Sequence, residues 1–373
     1  MNDRRGFTLV EVIVILAVLA ILAAVAIPMA LRIFESAAED ATREEMANLK
    51  EAMIGDPNKL QSSFRSDFGF LGDIGCLPTT LERLLTNGTL PTPFSFDSTK
   101  QTGAGWNGPY ITGAATGEET GEFTKDQLGN DYTYTASGAC PLTATLTSNG
   151  PDGQPTSGDE ITFSITANET TATTVRGTVK DTTGVGLEAV PVEFYSAVNG
   201  VLTTTPANTD ANGQYVFTSA PFGSRAVSAK PRLVLSPGTV AQGGGGKDIS
   251  FRVLNYSESA YTISAIRVDF DPVADNYDEI KINGSTVDSG NNFTSGQDVT
   301  VTATAIAVSP ATRPSVRVFV ESPDTQLPDI TISGQGTAAD IEINSFNKIV
   351  RGTTMKVTFN PNGASSVVIF LVP

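Results

Sequence analysis

The sequence predicts an α+β unit, in which a long N-terminal helix packs on a small antiparallel sheet, followed by two all-β sandwich domains. Three observations predict it. Residues 12–31 carry no charge, and the apolar pattern then continues as a stripe of helical period. Beyond residue 173, β-branched and aromatic residues alternate between Gly- and Asn-containing turns at short intervals, the pattern of small antiparallel sandwiches. A chain of 373 residues is also too long for one ordinary domain.

The helix is predicted from Phe7 to about Ile54, with a membrane-crossing half over residues 7–31. At 1.5 Å per residue the uncharged run reaches about 30 Å, the thickness of a bilayer core. Arg4 and Arg5 precede it, which keeps the short leader in the cytoplasm and exports the bulk of the chain. Leu31, Phe34, Ala38, Ala41, Met46, Leu49 and Met53 continue at spacings of three to five between charged residues, an amphipathic stripe. Gly55 followed by Asp56-Pro57 stops the helix, and Pro28 removes one hydrogen bond inside it and is expected to kink or locally loosen it. A secretory signal cut after Ala24-Val25-Ala26 would break the pattern there, yet helical sequence continues. Glu11 is the anomaly. A carboxylate at the mouth of an apolar run costs at least a few kcal/mol unless something neutralises it.

Composition excludes several classes. The net charge of −16 argues against nucleic-acid binding, because phosphate repels such a surface. No His is present, which removes Ser-His-Asp and Cys-His catalysis and every His-ligated metal site. No carboxylate pair with a pocket signature stands out, so the chain is read as a non-enzyme. Cys76 and Cys140 are the only thiols. They form one disulfide after export or remain two buried thiols.

Gly6-Phe7-Thr8-Leu9-Val10-Glu11, after a basic leader and before a long apolar helix, resembles the class III signal of type IV pilins and type II secretion pseudopilins. The resemblance implies that residues 1–6 are a leader peptide, that prepilin peptidase cuts between Gly6 and Phe7, and that the new amine on Phe7 is methylated. Glu11 then becomes the fifth mature residue and Pro28 the twenty-second, as in that family. Self-assembly into a helical fibre on an inner-membrane platform follows, with Glu11 of one subunit meeting the Phe7 amine of the next.

Residues 55–168 are predicted to form the globular head on this helix. Locally, Thr80–Leu85 is a short helix capped by a hydroxyl, Asn87-Gly88 is a turn, and Gly129-Asn130 is a tight turn into a strand carrying Tyr132 and Tyr134. The order of Trp106, Gly108, Pro109, Tyr110, Asp126, Gly129, Asn130 and Tyr132 resembles the major pseudopilin of type II secretion. Leu128 and Asp131 depart from it, where that family carries Trp and Pro. Asp152 and Asp159 then stand seven apart across a Gly/Pro/Ser-rich loop. On spacing alone they are either a calcium loop or an Asp-Gly turn before an acidic strand start. The pseudopilin resemblance implies calcium, with Asp152 and Asp159 as ligands, a carbonyl from Asn149, and Glu160 as a less certain participant. Its role would be structural.

After a polar linker at residues 167–174, residues 173–231 resemble a carboxypeptidase regulatory-like β-sandwich, carried by Gly177, Asp181, Val190-Pro191-Val192, Asp210 to Tyr215 and Gly223. Residues 232–373 read as an immunoglobulin-like β-sandwich whose last strand, ending SSVVIFLVP, is expected inside a sheet. Asp269, Asp271, Asp275 and Asp278 are expected to be solvated acids at a strand end rather than metal ligands. Three functions remain open at this level. They are a type II secretion pseudopilus subunit, a type IV pilus subunit displaying adhesion domains, and an anchored monomer that binds a secreted cargo or surface ligand.

Overall fold

A computed structural model describes residues 9–61, 64–91, 93–111, 122–181, 183–230, 233–236, 238–255, 260–271, 276–306, 315–332, 337–360 and 365–373. Helix α1 (Leu9–Ile54) is unbroken through Pro28. Gly55 ends it at φ +80°, where a side chain would collide with the carbonyl of Asp67. Arg65 completes the end by donating its guanidinium to the carbonyls of Ile54, Gly55 and Asp67.

Only the far half of the stripe is a core face. Met46, Leu49 and Met53 are buried, whereas Leu31 and Phe34 are exposed. The apolar length from Leu9 to Phe34 therefore projects away from the head, and the docked face begins at the buried Thr42.

In the head follow a hairpin of β1 (Leu60–Gln61) and β2 (Phe64–Arg65), helix α2 (Gly69–Ile74), and a hairpin of β3 (Ser95–Asp97) and β4 (Thr102–Ala104). A three-stranded antiparallel sheet of β5 (Thr133–Ala136), β6 (Ala144–Ser148) and β7 (Ile161–Ile165) lies against α1. Residues 81–84 form a 3-10 turn, and the Thr80 hydroxyl makes no cap bond. At the other end of the turn the Trp106 indole donates to the carbonyl of Arg83 at 3.0 Å.

The segment after the head is not a loose linker. Residues 167–169 form a 3-10 turn with a capping box between Thr166 and Glu169, and Thr170, Thr171 and Ala172 are buried. Strands β8 (Thr171–Ala172), β9 (Thr174–Asp181), β10 (Pro191–Val198), β11 (Val201–Asn208), β12 (Gln214–Phe217), β13 (Ala220–Pro221) and β14 (Gly223–Ala229) come next. After them come β15 (Leu233–Leu235), β16 (Ala241–Gly243), β17 (Asp248–Asn255), β18 (Tyr261–Asp271), β19 (Asn276–Ile282), β20 (Ser285–Thr294) and β21 (Asp298–Ile306). The chain ends with β22 (Ser315–Val320), β23 (Asp324–Gln326), β24 (Ile330–Ile332), β25 (Thr337–Asn344), β26 (Thr354–Phe359) and β27 (Ser366–Leu371).

Their pairing crosses the division expected at residue 231. One sheet runs β11-β10-β14-β22, and its partner runs β12-β9-β23 with β24 also on β9. Residues 315–332 thus complete the first sandwich, antiparallel to β14 and parallel to β9, and their Val318, Val320, Leu327, Ile330 and Ile332 join the core it shares with the head. The second sandwich pairs a β15-β17-β25-β19-β20 sheet, with β16 on β17, against β21-β18-β26-β27 and has its own core. The two sandwiches interleave along the chain: residues 174–229 and 315–332 build the first, and residues 233–306 and 337–371 build the second. Strand β27 is an edge strand, not an inner one, with Leu371 64% exposed. Its buried face, through Val368 and Phe370, is what holds it.

The head and first sandwich meet around Arg225 of β14, which is fully buried. It donates to the carbonyls of Pro221 at 3.1 Å and Phe222 at 2.6 Å, and across the junction to Gly72 of α2 at 2.8 Å. Burial pulls its pKa down to about 10, with Asp73 acting in the opposite direction, so it stays a cation. Phe64 stacks on Phe319 at 5.4 Å, and the Arg65 amide donates to Glu321 at 3.0 Å.

Candidate functional sites on the helix and its docked loop

Gly6 and Phe7 lie outside the described residues. Glu11 and Pro28 are in place on α1, both on its exposed length. The helix is long and apolar enough to cross a membrane, with a mean hydropathy of 3.1 over its most apolar window and none of that window buried inside the molecule. An amphipathic core helix would hide its apolar side chains; this one hides none of them before the head begins.

The second site is built from the helix outward. Thr42 Oγ1 accepts the amide of Gln127 at 3.1 Å, and Glu45 accepts the Gln127 side-chain amide at 3.0 Å and the Tyr132 hydroxyl at 3.2 Å. The turn they hold is organised by Asp126, which is buried. Its carboxylate accepts the amides of Leu128 and Asn130 and, at 2.6 Å, the Ser148 hydroxyl. Asn130 then donates its side-chain amide to the carbonyl of Gly150 at 2.9 Å. A continuous chain of hydrogen bonds therefore runs from α1 to the start of the 149–160 loop. Sequence reasoning found Asp126 and Asn130 but missed Thr42 and Glu45; the one available signal was a hydroxyl interrupting the stripe four residues before Met46.

In the loop, Asp152 and Asp159 are brought together. The Ser157 hydroxyl lies within hydrogen-bonding reach of both carboxylates, and the Asp152 amide donates to Asp159 at 3.3 Å. The Ser157 hydroxyl and this amide hold the Asp159 carboxyl below its usual range. Glu160 is turned elsewhere, accepting the amides of Ser157 and Gly158 at 2.5 and 3.0 Å. Asn149 donates its side-chain amide to the carbonyl of Gly153 at 3.5 Å. Among the described residues no group of three His, Cys, Asp or Glu side chains gathers as a metal cluster. The donor chemistry is nonetheless hard oxygen throughout, which suits calcium; the remaining oxygens of a six- to eight-fold shell would come from carbonyls and water. Asp275 and the side chain of Asp271 lie outside what the structure describes, and among the described residues Asp269 and Asp278 belong to no metal cluster.

Cys76 and Cys140 are bridged, with Cα atoms 5.0 Å apart. The bridge ties the end of α2 to the strand entry at Pro141, whose carbonyl accepts the Leu77 amide.

Residues 1–27 match the family model described as the prokaryotic N-terminal methylation motif. No curated protein matches the chain. Among solved structures, a putative carbohydrate binding protein from Bacteroides uniformis is 10% identical, covering 53% of this chain and 98% of its own, at a TM-score of 0.22. The major pilin SpaD from Corynebacterium diphtheriae is 13% identical, covering 53% and 64%, at 0.15. The major pilin subunit BcpA of Bacillus cereus is 11% identical, covering 52% and 66%, at 0.15. Superpositions this poor carry no argument. The methylation motif, the exposed apolar helix and the head of helix on antiparallel sheet are together type IV pilin-like.

Proposed function

We propose that this chain is a structural subunit of a type II secretion pseudopilus in the bacterial inner membrane. It is exported on a class III signal, cut between Gly6 and Phe7 by prepilin peptidase, and methylated on Phe7. It polymerises through α1 on an inner-membrane assembly platform. The observation that carries this reading is the helix itself: an apolar, wholly exposed length that bears one carboxylate, Glu11, within the matched motif. In a fibre the helices would leave the bilayer for each other's surfaces. Glu11 of one subunit would then neutralise the Phe7 amine of a neighbour, in a low dielectric where a lone charge is strongly disfavoured. That pairing sets subunit register. Calcium held by Asp152, Asp159 and the Asn149 carbonyl would stiffen a loop with little apolar area of its own.

A second reading, a type IV pilus subunit, is favoured by the two sandwiches. The first shares a core with the head, so both would be carried rigidly on the outside of a fibre, suited to display. Co-expression of Glu11→Ala with the native chain tests assembly. The variant should be processed but excluded from sheared fibres; equal incorporation defeats the pairing of Glu11 with the Phe7 amine, and absence of the native chain itself from fibres leaves an anchored monomer. Loss of the gene should then abolish either export of folded proteins or surface fibres, which separates the two machines.

A further inference from the structure

The junction between the head and the first sandwich holds a cleft of about 470 Å³, within the usual scale of small-molecule sites. Asp73 and Tyr110 form one wall, Phe94 and Phe96 of the β3 hairpin form another, and Arg317 of β22 closes it from the sandwich. Neither partner forms the cleft alone. The Tyr110 hydroxyl donates to Asp73 at 3.0 Å and accepts the Asn107 amide at 3.0 Å, which fixes the polar wall. The Phe94 ring lies over Gly103, where a Cβ would come within 2.6 Å of it. The Arg317 guanidinium covers the Phe96 ring at 5.1 Å and donates to the carbonyl of Gln101.

We propose that this cleft binds a neutral saccharide of one or two rings. Aromatic faces carry negative charge and suit the C–H-rich face of a sugar ring, while a carboxyl, a side-chain amide and a guanidinium supply the mixed donors and acceptors that hydroxyls need. Charge favours neither a cation nor an anion. The lining carries both signs, with Asp67 and Asp73 beside Arg317, and Asp67 is paired with Lys59 at 3.2 Å. Burial pushes Asp73 up to about 6, against the Tyr110 hydrogen bond and Arg225, so near neutrality its carboxyl is readily either donor or acceptor.

The site exists in a single chain and is independent of fibre assembly. The full chain, held in a zwitterionic detergent, is titrated with maltose, cellobiose and N,N′-diacetylchitobiose. Trp106, the only tryptophan, is the reporter, its ring 5.9 Å from Tyr110. At least one disaccharide should give a saturable fluorescence change at millimolar concentration. Phe96→Ala and Asn107→Ala, both at exposed positions, should each weaken it by about tenfold without changing the melting temperature. No saturable response to any of the three, an unchanged affinity in both variants, or a response to cadaverine in their place would overturn the proposal.

Discussion

Replacing Arg225 by methionine keeps most of the volume of this fully buried side chain but removes the donors for the carbonyls of Pro221, Gly72 and Phe222. Each buried carbonyl left without a donor costs about 1–3 kcal/mol. Relief from desolvating the guanidinium offsets part of that sum, and removing one member of a buried charged contact usually costs about 3–5 kcal/mol. The expected loss is therefore about 3–5 kcal/mol. Because the bonds to the carbonyls of Gly72 and Leu71 cross from β14 to α2, the loss should fall on the union of head and sandwich. Denaturant unfolding of the R225M chain, followed by Trp106 fluorescence for the head and far-ultraviolet circular dichroism for the sheets, should give transitions that no longer coincide. Coincident transitions with a loss under about 1 kcal/mol would refute the claim that Arg225 locks the junction.

Asp73 sets a pH dependence. Its folded-state pKa is raised from 3.8 to about 6, so between those values the native state holds a proton that the unfolded state has lost. Stability is fully present below about pH 4 and falls as pH rises through about 6, by at most about 3 kcal/mol. Asp73→Asn should therefore gain on the native chain at neutral pH and lose that advantage near pH 4, as measured by paired denaturant melts. Cys76→Ser should cost about 4 kcal/mol, the chain-entropy value for closing residues 64 apart, and a reducing agent should shift the native chain equally. Asp152→Ala should lower the melting temperature in calcium but not in a chelator; equal melting of both chains in both conditions removes the calcium proposal.

The helix was legible because its signals are local: a 3.6-residue period, a run without charge, and Gly55 as a stop. So were the Asp126 turn and the strands that follow it. The interleaving of the two sandwiches was not. Strand pairing between β14 and β22 joins residues about a hundred apart, and a strand's own alternation says which face is buried but not which neighbour it will choose. The polar run around Thr170 and Thr171 read as a linker because its hydroxyls find carbonyl partners only in the folded chain, at Leu142 and Ala220. Arg225 hid in plain view for the same reason. In GSRAVSA a single arginine looks like the outward side of a strand, and the carbonyls of Pro221, Phe222 and α2 make its burial tolerable. The terminal strand was read as inner from its apolar run, whereas one buried face is enough for an edge.

The mass of the mature N-terminal peptide, purified from the native host, tests the central claim most directly. A subunit of a methylated fibre begins at Phe7 and carries a methyl group on its amine. A mature chain that begins at Ile27, or one that keeps Met1 through Gly6 after export, contradicts it.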